Sequence, residues 1–109
     1  MAESLKVLGQ TNPSAASLTD SYTVPGATSA VVSSITVANR SATPTSFRVS
    51  IAVAGAANSN EQYLFFDVPI AGNDTFTATL GIGLATTDVV RVYATLATLS
   101  FNIFGIEVT

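Results

Sequence analysis

The hydrophobic positions of this chain recur every second residue. In "TSFRVSIAVA" Phe47, Val49, Ile51 and Val53 fall on one side, with Arg48, Ser50, Ala52 and Ala54 on the other. "VVSSITVAN" alternates Ile35 and Val37 with Ser34, Thr36 and Ala38, and "DTFTATLG" alternates Phe76, Ala78 and Leu80 with Thr75, Thr77 and Thr79. Successive side chains of a strand point to opposite faces, so a period of two marks a half-buried strand. Thr, Val, Ile and Phe are the residue types that fit such a pleated surface. No window of helical length carries a convincing 3.6-residue period. Turn chemistry cuts the pattern at "VPGATS", "NRSATPT", "GAANSNE", "AGND", "ATTD" and "ATLATL", which leaves eight strands over about 5–10, 20–24, 30–39, 45–54, 62–70, 74–81, 89–95 and 99–108.

Short strands separated by turns, with no helix to serve as a parallel crossover, pair antiparallel. Eight of them predict an all-β fold, an antiparallel two-layer β-sandwich with jelly-roll or Greek-key connections. Pro25–Gly26 predicts a type II turn with Gly26 at positive φ, and Gly81 and Gly83 in "GIG" predict a sharp strand-to-strand corner. Residues 1–18, with the loop-like "TNPSAAS", read as an N-terminal arm, and 19–109 as the sandwich domain.

Two stretches break the alternation. In "QYLFFDVPI" four apolar residues stand in a row, so that Leu64, Phe66 and Val68 share one face and Tyr63, Phe65 and Asp67 the other. In "LSFNIFGIEV" Leu99, Phe101 and Ile103 lie on one face, and Phe104, Ile106 and Val108 on the opposite one. A bulge at Gly105 that swaps the faces would remove the second anomaly. Otherwise a sheet surface is left for another subunit to cover, because large exposed apolar patches are rare on monomers. Tyr63, Phe65, Phe101 and Ile103 are the candidate interface residues, joined by Leu5 and Val7 of the arm, which is expected to pair as an added strand or to pack on a neighbouring subunit.

Composition strengthens the contact reading. Only 10% of the 109 residues are charged, against about 25% in an ordinary soluble domain. Charge is depleted at interface centres. Ala, Ser and Thr supply 43 residues, but the larger hydrophobics are spaced regularly among them, which disordered segments lack. The mean hydropathy is +0.48, yet no apolar run approaches the ~18 residues of a membrane-spanning helix, and "MAESLKVLGQ" lacks the basic-then-apolar pattern of a signal peptide. The net charge is −3, with only Lys6, Arg40, Arg48 and Arg91 as cations. No basic stripe is available for nucleic acid.

Chemistry has little to work with. The chain has no His and no Cys, which removes the usual proton shuttle and the usual nucleophile. Ser4 has only Lys6 nearby as a base. Asp67, Asp74 and Asp88 lie at strand ends beside turn residues, where Asp commonly caps its own backbone. Asp20, Asp74 and Asp88 offer loop oxygens of the kind calcium takes, but no D-x-D-x-D cluster gathers them. "GIG" lacks the Lys and the helix of a phosphate loop. No catalytic, metal or cofactor site is expected. A carbohydrate-binding module would stack sugars on exposed aromatics, and here the candidates are only Tyr22, Tyr63 and Tyr93, with no Trp.

The order of motifs also carries a resemblance. "LTDSYTVPGATSAVVSSITVANRSATPTSFRVSIAVAG", then "QYLFFDVPIAGNDTFTATLGIGLATTDVVRVYAT", then "LSFNIFGIEVT" resembles a group of small virion structural proteins of tailed bacteriophages, including phages of cyanobacteria. Its marks are the "YTVP" entry, Asn39 at the end of a long strand, the "DVPI…DTF" hairpin and the spaced Gly, Leu and Asp before the next strand. The resemblance implies a non-enzymatic part of the virion: a capsid decoration (cement) protein first, a tail, neck or fibre component second. It implies as partners the protein itself, with a trimer as the first expectation, and other virion proteins such as the major capsid protein. It brings no defined functional residues.

Overall fold

A computed structural model describes residues 2–109. The eight strands are β1 (Glu3–Thr11), β2 (Thr19–Thr23), β3 (Ser29–Asn39), β4 (Thr45–Ala52), β5 (Tyr63–Ile70), β6 (Thr75–Leu84), β7 (Val89–Ala94) and β8 (Leu99–Val108). The described helical residues are two three-residue 3₁₀ turns, Val53–Gly55 and Asn60–Gln62, both between β4 and β5. The strands form two four-stranded antiparallel sheets, in the orders β1-β8-β3-β6 and β2-β7-β4-β5. The pairs β1·β8, β2·β7, β3·β6 and β4·β5 are nested, as if one long hairpin had been rolled over itself. That is a jelly roll, and it resolves the two connection schemes left open by the sequence.

The inner faces hold the core. Phe47 and Val49 on β4, Ile35 and Val37 on β3, Leu99, Phe101 and Ile103 on β8, and Val90 and Val92 on β7 are fully or almost fully buried. Fully burying a side chain of this size is worth about 1.5–3 kcal/mol. The Phe47 ring packs against Phe76 at 5.1 Å and Phe101 at 6.1 Å, which ties the two layers together.

Each end of the sandwich is stitched by one buried polar side chain. Asn39 donates to the carbonyls of Thr43 and Ala71 and accepts from the Ser41 amide and the Thr98 hydroxyl, joining three loops. At the other end the Asp88 carboxylate accepts from the amides of Ala54 and Ala85, both at 2.9 Å.

Several sequence expectations are corrected here. Residues 3–11 of the expected arm form β1, which pairs with β8 of the same chain from Glu3↔Val108 to Thr11↔Phe101. They are the outermost pair of the roll, and what joins them to it is long-range pairing that local sequence does not display. Phe101 and Ile103 are core, with no exposed surface, so they do not serve as interface side chains. β8 keeps its alternation through Gly105 without swapping faces, because the register breaks fall on its partners: between Val7 and Gly9 on β1, and between Val32 and Ser34 on β3, opposite Gly105 and Phe104. Gly105 has a packing reason instead: a Cβ there would collide with the Val31 carbonyl and Leu8. The Pro25–Gly26 turn places its positive φ on Ala27 (55°) and not on Gly26. Gly81 and Gly83 stay within β6, which runs on to Leu84 without a corner.

Candidate interaction surface

With the inner faces consumed by the core, the outer faces decide what the molecule can touch. Pairing aligns Leu5 on β1 with Ile106 on β8, Ile106 with Val31 on β3, and Val31 with Gly83 on β6. The neighbouring row begins with Val7 beside Phe104. Leu5 is 82% exposed, Val7 46% and Val31 38%, while Phe104 and Ile106 are half-buried. Paired residues share a face, so these five apolar side chains make one patch across three strands of the first sheet. Gly83 and Gly81 continue it as ground without side chains, and a Cβ at either would meet nothing within 4 Å. Farther along, the same face turns polar: Gln10 donates to Asn102, and a shallow hollow is lined by Gln10, Thr11, Asn12, Ser100, Phe101 and Asn102.

The second sheet carries an aromatic cluster on its outer face. Register slips at Asp67, which has φ 51°, so Phe65 and Val68 both turn toward the core although three residues apart. Phe65 packs against Phe76 at 5.4 Å. Phe66 is left outside, 55% exposed, edge-on to Tyr63 at 4.9 Å. The Arg48 guanidinium lies 4.2 Å from the Phe66 ring centre and 4.3 Å from that of Tyr93, a cation held between two aromatic faces. Asp67 closes the group with a 2.6 Å bond to Arg48 Nε, and that carboxylate, with burial opposing, raises the guanidinium pKa. A depression of about 350 Å³ opens beside it, lined by Asn60, Tyr63 and Phe66.

Of the six candidate residues, Leu5, Val7 and Tyr63 lie on outer faces. Phe65 is half-buried on the inner side, and Phe101 and Ile103 are core. Val31, Leu64, Phe66, Phe104 and Ile106 were the outward apolar residues to find. The signal for Phe104 and Ile106 is the two-faced β8 pattern itself, and the alternation does not say which of its faces is inner.

The four cationic side chains are committed to internal bonds. Lys6 bonds Glu107 at 2.8 Å, Arg91 bonds Asp20 at 3.0 Å and the carbonyls of Gly55 and Ala56, and Arg40 bonds Asn12 and the Ala97 carbonyl. Glu107 also accepts from the Tyr22 hydroxyl at 2.6 Å. Hydrogen bonds from Lys6 and then Tyr22 lower the Glu107 pKa, whereas burial and the Glu107 contact push the Tyr22 phenol up. Among the described residues no group of three or more His, Cys, Asp or Glu is placed to hold a metal ion. Comparison with protein-family models, with curated proteins and with solved structures finds no match.

Proposed function

We propose that this chain is a non-enzymatic structural subunit of a tailed-bacteriophage virion, a capsid decoration or cement protein that works by protein–protein contact. The observation that carries the contact role is the apolar patch of Leu5, Val7, Val31, Phe104 and Ile106 on the outside of a domain whose own core is complete. Such a patch is spent on a partner or costs solubility. All four cations are occupied within the chain, which leaves none free for phosphate. The jelly roll is an architecture that viral capsid proteins share with lectins and cupins, so it supports the reading by analogy of fold. The particle itself comes from the motif resemblance. In the virion the protein assembles with itself and with other virion proteins such as the major capsid protein.

The test is co-sedimentation of the purified protein with capsids and with tails purified from the phage that encodes it. Saturable binding to capsids is the expected result. Binding to tails alone moves the protein to the tail, neck or fibre, and binding to neither ends the proposal.

A sugar-binding module is the second reading, favoured by the exposed Phe66 and the depression it shares with Tyr63 and Asn60. A glycan array on which Phe66→Ala abolishes a wild-type signal is the result that would favour it.

A further inference from the structure

We infer that the outer face of the first sheet closes on the same face of a second copy, about a twofold axis that runs along the strands between β8 and β3. The inference rests on the self-assembly part of the proposal above and gives it a surface, a symmetry and a register. A twofold contact makes the unit a dimer, in place of the trimer first expected.

The row Leu5–Ile106–Val31–Gly83 crosses the whole sheet, from β1 at one edge to β6 at the other. It starts with the most exposed large hydrophobic side chain described, Leu5 at 82%, and ends at a residue with no side chain. A twofold along the strands exchanges the two edges and keeps each row facing itself. Leu5 of one copy then falls over Gly83 of the other, and Ile106 over Val31. The protruding group meets open ground, and does so twice. A twofold across the strands through the middle of the face would instead keep β1 over β1 and set Leu5 and Val7 against its polar end, at Gln10.

Charge favours the same contact. None of Leu5, Val7, Val31, Gly81, Gly83, Phe104 and Ile106 ionises; Glu3, paired with Val108 at the end of the same face, is the ionisable group beside them, and the twofold sets the two Glu3 carboxylates at opposite edges of the contact. The size is adequate too. Four strands ~4.8 Å apart and ten residues at ~3.4 Å each make a face of roughly 650 Å² in projection, and side-chain relief brings it toward the ~800 Å² per partner of a standard interface. Sheets packed this way lie ~10 Å apart with their strands nearly aligned.

The chain has no cysteine, so introduced thiols report cleanly. The experiment pairs Leu5→Cys with Gly83→Cys in one chain, treats it with the short dithiol cross-linker dibromobimane, and measures wild-type mass by analytical ultracentrifugation. Within one chain the two positions are three strand spacings apart, ~14 Å, too far for the reagent. The expected result is a wild-type dimer and a fluorescent covalent dimer from the double variant. Neither single variant should cross-link, nor should Leu5→Cys combined with Thr77→Cys. Gly83→Arg should weaken the dimer at least tenfold while leaving the β-sheet circular dichroism unchanged. A monomer at high micromolar concentration overturns both this inference and self-assembly in solution. An oligomer whose double variant fails to cross-link, or whose Leu5→Cys single variant does, overturns this surface alone.

Discussion

Replacing Asp88 with Ala removes the stitch at one end of the sandwich. Asp88 is 8% exposed, and its two oxygens accept the amides of Ala54, in the 3₁₀ turn after β4, and Ala85, in the turn after β6. A hydrogen bond to a charged group is worth about 1.5–3 kcal/mol, and an amide left unpartnered in a buried place costs about 1–3 kcal/mol. Ala54 and Ala85 are themselves exposed, so water recovers part of the loss and the lower half of the range applies. Ala54 also holds φ at 54°, a conformation that costs a residue with a Cβ about 1–2 kcal/mol and that relaxes once the turn is released. The net expectation is a destabilisation of about 2–3 kcal/mol. In urea, with a slope of about 1.5 kcal/mol per molar, the midpoint falls by about 1.3–2 M. Asp74→Ala is the control, because its exposed carboxylate bonds only the amide of Thr75; the change there stays within about 0.5 kcal/mol. Equal midpoints for the two variants would refute the assignment of Asp88 as a structural stitch.

Three further outcomes follow from the packing. Gly105→Ala drives a methyl group into the Val31 carbonyl and Leu8, and thermal melting should show a loss of about 1–3 kcal/mol. Deletion of residues 2–12 removes β1, the Lys6–Glu107 pair and the packing of Leu8, so a cooperative melting transition should be lost, whereas a dispensable arm would leave it intact. The lowered Glu107 pKa contributes stability that is present above the ordinary value near 4.5 and is lost as pH falls through the lower folded value. Urea midpoints measured from pH 6 down to pH 3 should therefore fall less in Glu107→Gln than in the wild type, and parallel curves would contradict the assignment.

What was legible in the sequence follows from how local each signal is. All eight strands were readable because the signals are local: Thr, Val and Ile alternate along segments such as Thr75–Leu80, and turn residues bound the others. The faces were harder. "YLFF" fits two registers, and the choice is made by a bulge at Asp67, a residue that in sequence looks like the end of a strand. In β8 both faces are apolar, and the inner one is chosen by Phe47 of the opposite layer, which meets Phe101. β1 was unreadable as part of the roll because its partner β8 lies at the far end of the chain. Lys6 and Glu107, joined at 2.8 Å, are 101 residues apart. The outward patch combines residues from β1, β3 and β8, so no window of sequence contains it.

The central claim is that this jelly roll is a particle subunit that works through its outer apolar face. A cryo-EM map of the intact phage tests it most directly. The account predicts 11.2 kDa jelly-roll densities on the capsid exterior, with Leu5, Val31 and Ile106 buried in a protein contact. A virion map with no such density, or one in which that face looks into solvent, would contradict it.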